Sequence, residues 1–220
     1  MKNPKQQLRR LLACAACLAF GAVPYAAAQV LVVDNSPPNH LTGNNMGIAF
    51  QAEDFTLAAG ASVTGIRFWS LELDNAYRGY IGWSFYRDNG EGPGDLLAAG
   101  IEAGVRSALG SYLGLREFRN DLTLNFPVPL GPGHYWLQLH NGALGDQGGP
   151  NEFLWESAAP NGSRPGMQSF VFPVVWTPNG TEHAFQLLAV AEPAQVLMLM
   201  IGMTLLVCLK RRDGSSENFS

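Results

Sequence analysis

Short apolar stretches alternate with polar positions along most of this chain, and Gly, Pro, Asn and Asp separate them. In residues 80–87, Ile81, Trp83 and Phe85 fall on one face of an extended strand. Tyr80, Ser84 and Tyr86 fall on the other. In residues 134–140, Tyr135, Leu137 and Leu139 share one face, and His134, Trp136, Gln138 and His140 share the opposite one. A period of two predicts half-buried antiparallel strands. The same reading places strands at 30–33, 47–51, 63–73, 80–87, 112–118, 122–126, 134–140, 153–156, 168–175 and 183–190. No helical stripe of useful length occurs in this region. Residues 96–107 are Ala-rich and ambiguous, but Gly100 and Gly104 weaken a helix there. Residues 145–150 and 159–166 read as loops. Ten strands with short turns predict an all-β fold: a single antiparallel β-sandwich, jelly-roll-like.

The two ends break the pattern. Lys2, Lys5, Arg9 and Arg10 precede an apolar stretch at 11–23, and Ala26, Ala27 and Ala28 follow it. That is the layout of a secretory signal peptide, residues 1–28, cleaved before Gln29. Leu11-Leu12-Ala13-Cys14 is similar to a lipoprotein cleavage box, but the apolar stretch would then follow the cut instead of preceding it. At the other end, residues 194–209 carry no charge and run into Lys210, Arg211 and Arg212. As a helix this run reaches about 24 Å. Snorkelling of the basic residues brings it close to the roughly 30 Å hydrocarbon core. The basic cluster should stay cytoplasmic, which puts the preceding segment outside.

Together the ends resemble the PEP-CTERM proteins of Gram-negative bacteria. The residues that carry the resemblance are Ala191, Glu192 and Pro193, the apolar run, and Lys210, Arg211 and Arg212. Ala191 stands where the family has the first Pro of its tag, and a polar tail, 213–220, follows the basic cluster. The run-in at 184–190, AFQLLAV, is also like the family's last strand. The resemblance implies a sorting tag at 191–212, read by an exosortase, a membrane-embedded transpeptidase. Glu192 and Pro193 would be the residues it reads. The translocon and signal peptidase would act first. The precursor would sit in the inner membrane and the processed body would reach the cell surface or extracellular matrix. Two other readings stand beside it: a permanently anchored single-span envelope protein, and a secreted hydrolase with a dispersed site.

Removing both ends leaves a body at 29–190, enough for one domain with an ordinary core. Cys14, Cys17 and Cys208 all lie outside it, so burial and not disulfides must hold it together. The body has no lysine, seven arginines and fifteen acids, a net of eight negative charges. That balance argues against nucleic acid and against an anionic membrane surface.

The body carries no nucleophile elbow, no zinc-protease motif, no Walker loop and no dinucleotide fingerprint. Glu53 and Asp54 are adjacent, so on a strand they point to opposite faces and form no glycosidase pair by themselves. Asp88, Asn89 and Glu91 offer oxygens, but their spacing is not that of an EF-hand, and Asp-Asn-Gly makes a turn without an ion. His134 and His140 share a face but lie about 20 Å apart along a strand. Asn161-Gly162-Ser163 and Asn179-Gly180-Thr181 read as turns. These features predict a non-enzymatic body with no cofactor and no metal. Carbohydrate is the ligand expected, because sugar rings stack on aromatic rings flanked by polar groups. The expected contacts are Trp136, His134 and Gln138 on one strand face, with Tyr80 and Tyr86 on another. An exopolysaccharide is the corresponding partner.

Overall fold

The computed structural model describes residues 29–35, 37–112, 114–143 and 152–190. Described residues form strands and turns, with no helix. In chain order the strands are β1 (Gln29–Asn35), β2 (Pro38–Asn45), β3 (Phe50–Leu57), β4 (Ala61–Glu72), β5 (Ile81–Asp88), β6 (Pro93–Glu102) and β7 (Val105–Tyr112). They continue with β8 (Leu115–Leu130), β9 (Gly133–Asn141), β10 (Phe153–Ala158), β11 (Met167–Ser169), β12 (Thr177–Pro178) and β13 (Phe185–Val190). They make two antiparallel sheets. β4 is the axis of the first. It pairs along one edge with β8, which pairs onward with β7. Along its other edge β4 pairs first with β13 and then with β10, which carry β1 and β2 respectively. The second sheet runs β12-β11-β3-β9-β5-β6.

One apolar core joins the two sheets. Ile66, Phe68, Leu122, Phe185 and Leu187 come from the first, and Phe55, Trp83, Phe85, Leu137 and Leu139 from the second. The Phe55 ring sits 6.1 Å from Phe85 in its own sheet and 6.1 Å from Phe185 in the other. Fully burying each such side chain contributes about 1.5–3 kcal/mol.

Several expected elements take a different form. Residues 112–118 and 122–126 are not two strands. β7 ends at Tyr112, and β8 runs from Leu115 to Leu130, paired with β4 at 116–123 and 128–130, with a register shift at Val63 and Gly65 that takes up residues 124–127. Pro127 falls in that unpaired shift and Pro129 lies beyond the part of β8 that β7 covers, so neither has to donate to β7. The Ala-rich segment 96–107 is strand, not helix. Gly100 lies opposite Trp83, and a Cβ there would come within 2.5 Å of the indole. The strand expected at 168–175 is only β11, after which Ser169 Oγ accepts from the Val171 and Val175 amides and bends the chain. β2, PNHLTGNN, has no apolar alternation to announce it. It is held to β10 by its register and by Asn39, whose amide donates to the Ala158 carbonyl.

Among the described residues no helix is long and apolar enough to cross a membrane. The expected signal peptide at 1–28, the apolar run 194–209 and the sorting residues Ala191, Glu192, Pro193, Lys210, Arg211 and Arg212 lie outside the described residues, as does the loop 145–150.

Candidate functional site

Strands β3, β9 and β5 lie side by side in the second sheet, so alternate residues build one outward face. Its rows are Ala52, Gln138 and Ser84; then Asp54, Trp136 and Tyr86; then Thr56 and His134. This is the face expected to bind carbohydrate, and the chain covers most of it. Met167 and Trp176 pack on Ala52, Tyr86 and Trp136. The Trp176 ring meets Tyr86 edge-on at 5.9 Å, and the Arg164 guanidinium lies 5.2 Å from the Trp136 ring centre.

Trp136 is therefore not an exposed platform. It is 0% exposed, Gln138 is also buried, and Tyr86 is spent on a hydrogen bond to Gln138 Oε1. Burial raises the Tyr86 phenol above its ordinary range. Tyr80 is exposed but precedes β5, six residues from Tyr86 and about 20 Å away at strand rise. The five expected carbohydrate contacts do not assemble into one ring-lined surface. The reason is tertiary: the segment between β10 and β13 folds back across the face.

What stays open is a polar cleft beside this covered cluster, lined by Asp54, Thr56, Asp88, Gly90, His134, Gly162, Ser163 and Arg164. His134, at the exposed rim, places Nδ1 2.9 Å from Thr56 Oγ1. Arg164 Nη2 donates to Asp88 Oδ1 at 2.6 Å, and its Nε lies 3.8 Å from Asp54 Oδ2. Trp136 Nε1 donates to the same Asp88 oxygen at 2.9 Å, which explains why this strand position takes an indole. The turn after Asp88 is built by Asn89, whose Oδ1 accepts from the Glu91 and Gly92 amides, with Gly90 at φ +92°. Asn89 and Asp88 thus have structural partners at the turn where oxygen ligands were weighed.

The two cleft carboxylates are driven apart. Burial lifts the Asp54 carboxyl above the usual range, opposed by the nearby Ser163 hydroxyl and the charge of Arg164. Burial also acts on Asp88, but the hydrogen bonds from Trp136 and Arg164, and the Arg164 charge, outweigh it and lower that carboxyl. Asp54 Oδ1 is buried without a hydrogen-bond partner.

Glu53 points to the opposite side of β3, as strand alternation requires, and it enters a fully buried polar group. Its Oε2 accepts from the His183 amide at 2.8 Å and lies 2.7 Å from His183 Nδ1. His183 Nε2 lies 3.2 Å from Asn44 Oδ1. With Nε2 donating to that oxygen, Nδ1 is the acceptor and Glu53 supplies the proton. The surroundings agree. Burial holds His183 down at about 3 and raises Glu53 well above the carboxylate range, with the nearby Glu182 charge adding to the rise. Glu182 accepts a hydrogen bond from Ser163 Oγ, which connects this interior group to the cleft.

Sequence reading missed Arg164, Ser163, Glu182 and His183. Arg164 and Ser163 sit in a segment that reads as an ordinary turn, and the Glu53–His183 contact spans 130 residues. The one usable signal was the Glu53-Asp54 pair, which points to opposite faces once β3 extends to Leu57, beyond the strand expected at 47–51. No protein-family model matches this chain, and no curated protein matches it either.

Proposed function

We propose that this chain is an exported protein that works at the cell surface or in the extracellular matrix, delivered by a PEP-CTERM-like tag and an exosortase-type transpeptidase. The support is the order of its ends. A basic, apolar, small-residue leader begins the chain. Glu192-Pro193, an apolar run and Lys210 to Arg212 follow the body, ahead of the polar tail 213–220. The Cys-free, Lys-free acidic body suits a secreted module stabilised by burial. We read its two sheets as a jelly-roll-like sandwich, and its work as adhesive.

One observation carries the ligand reading: the open cleft where Arg164 is held between Asp54 and Asp88, with Thr56, His134 and Ser163 around it. Fixed donors and acceptors of this kind orient the hydroxyls of a sugar. Because Trp136 is covered, hydrogen bonding and not ring stacking would recognise the ligand. The acidic body repels polyanions, so a neutral exopolysaccharide fits best. Affinity electrophoresis in gels containing purified neutral exopolysaccharide tests this. Wild type should be retarded, and Arg164→Ala should bind about 10-fold more weakly, about 1.4 kcal/mol. Equal retardation of the two proteins, or none of either, removes the cleft as a binding site.

A second reading, a secreted hydrolase, draws on the opposed shifts of Asp54 and Asp88, the pattern of an acid and its partner carboxylate. It requires release of reducing ends from the same polysaccharide, abolished in Asp54→Asn.

A further inference from the structure

On the other side of the molecule the first sheet carries a second group of polar side chains that takes no part in the cleft. Leu71 of β4 pairs with Glu117 of β8 and with Leu154 of β10. Glu117 and Leu154 therefore share a face, and Glu156, two residues on from Leu154, shares it too. Both acids are buried, Glu156 at 0% and Glu117 at 3% exposure. His40 reaches them from β2. Its backbone is in the left-handed region at φ 59°, unusual for a residue with a side chain. Asn39 steadies that bend: its Oδ1 accepts from the Leu41 amide, and its amide donates to the Ala158 carbonyl. The imidazole stacks on Tyr112 at 4.0 Å, nearly parallel.

So positioned, His40 Nδ1 lies 2.9 Å from Glu156 Oε1 and 3.6 Å from Glu117 Oε1. One ligand atom from each of the three residues lies within 4.8 Å of the others. Glu156 Oε2 is buried and has no hydrogen-bond partner. Two interior carboxylates thus face one imidazole, which brings at most one proton to their four oxygens. Among the described residues no arginine forms an ion pair with either acid. A buried carboxylate oxygen left without a partner is costly, and a cation seated among these three side chains would complete the group.

We propose that His40, Glu117 and Glu156 form a divalent transition-metal site of the zinc class. One imidazole nitrogen and two carboxylate oxygens supply three ligands of the types zinc takes, leaving a fourth position for water. Zinc bonds of roughly 2.0–2.2 Å place tetrahedral ligands about 3.4 Å apart. The separations of 2.9 and 3.6 Å bracket that value. Calcium is disfavoured, since it takes six to eight oxygens and this site offers a nitrogen and few oxygens. The ion would tie β2, β8 and β10 together, supplying a cross-link to an exported body that has no cysteine.

The test uses the full chain in detergent, its three cysteines alkylated and bound metal removed with a chelator. Zinc chloride is titrated by calorimetry, with calcium chloride as the comparison, and the zinc-loaded protein is studied by X-ray absorption. The expected result is saturable 1:1 zinc binding, no comparable calcium binding, and a first shell of one imidazole and oxygens without sulfur. Glu156→Gln should weaken zinc binding by about 10-fold or more. Without metal it should be at least as stable as wild type, because it removes a buried charge. Should that variant fail to fold, His40→Gln at the half-buried rim carries the same comparison. Absence of a saturable zinc site, or affinity unchanged in the folded variant, overturns the proposal.

Discussion

Gly166 leaves the space that His183 and Glu53 occupy. A Cβ there would lie 2.7 Å from His183 Cε1 and 2.8 Å from Glu53 Oε2. The buried pair has a consequence for pH. His183 is held down at about 3 when folded and titrates near 6.5 when unfolded. Its contribution is therefore complete above about pH 6.5 and is lost as pH falls toward 3. Glu53 is raised on folding, so its contribution is complete below its unfolded value and is lost as pH rises. The two oppose each other across the acid range. Glu53→Gln removes the titration, at the cost of one of the two contacts that Oε2 makes to the His183 amide and Nδ1. Its stability relative to wild type should improve as pH rises above about 4.5, at up to about 1.4 kcal/mol per pH unit. Urea unfolding at pH 4, 5.5 and 7 measures this. A difference that does not change with pH would place the proton elsewhere.

At the scale of elements, β7 is joined to the first sheet by an arginine as well as by its ladder. Arg106 donates to both Glu72 oxygens and, through Nε, to Asn120 Oδ1 at 3.1 Å. Its guanidinium lies 4.2 Å from the Tyr77 ring centre and 4.1 Å from that of Phe118. Glu72 is 3% exposed and burial already raises its carboxyl. Removing only the arginine strands that acid. Arg106→Met should cost about 3–5 kcal/mol, and adding Glu72→Gln should recover a good part of the loss. Denaturant midpoints of the two variants decide it; a double variant no better than the single would show the arginine acting through packing alone. The alternation of Ile81, Trp83 and Phe85 made β5 readable, as Tyr135, Leu137 and Leu139 did for β9. β2 and β7 were not readable: neither has an apolar period of its own, β2 being placed by the distant β10 and β7 by its hairpin with β8.

For the whole molecule, the ends and the body make separate demands. The intact mass of the mature protein from its native cells separates the readings of the ends. The sorted form should lack residues 1–28 and everything beyond the Glu192-Pro193 region. A mass that keeps the chain through Ser220 would instead identify a permanently anchored protein.

The sequence by itself determined the all-β class, the positions of β1, β4, β5, β9, β10 and β13, and the absence of cysteine from the body. These follow from local period, turn residues and composition, which act over a few neighbours. Only the tertiary structure decided which aromatic rings are covered and which carboxylates meet. Trp136 is buried because Arg164, Met167 and Trp176 close over it. Glu156 meets His40 across 116 residues, and Glu53 meets His183 across 130. Sheet pairing sets such encounters, and no local pattern encodes which distant strand will lie alongside.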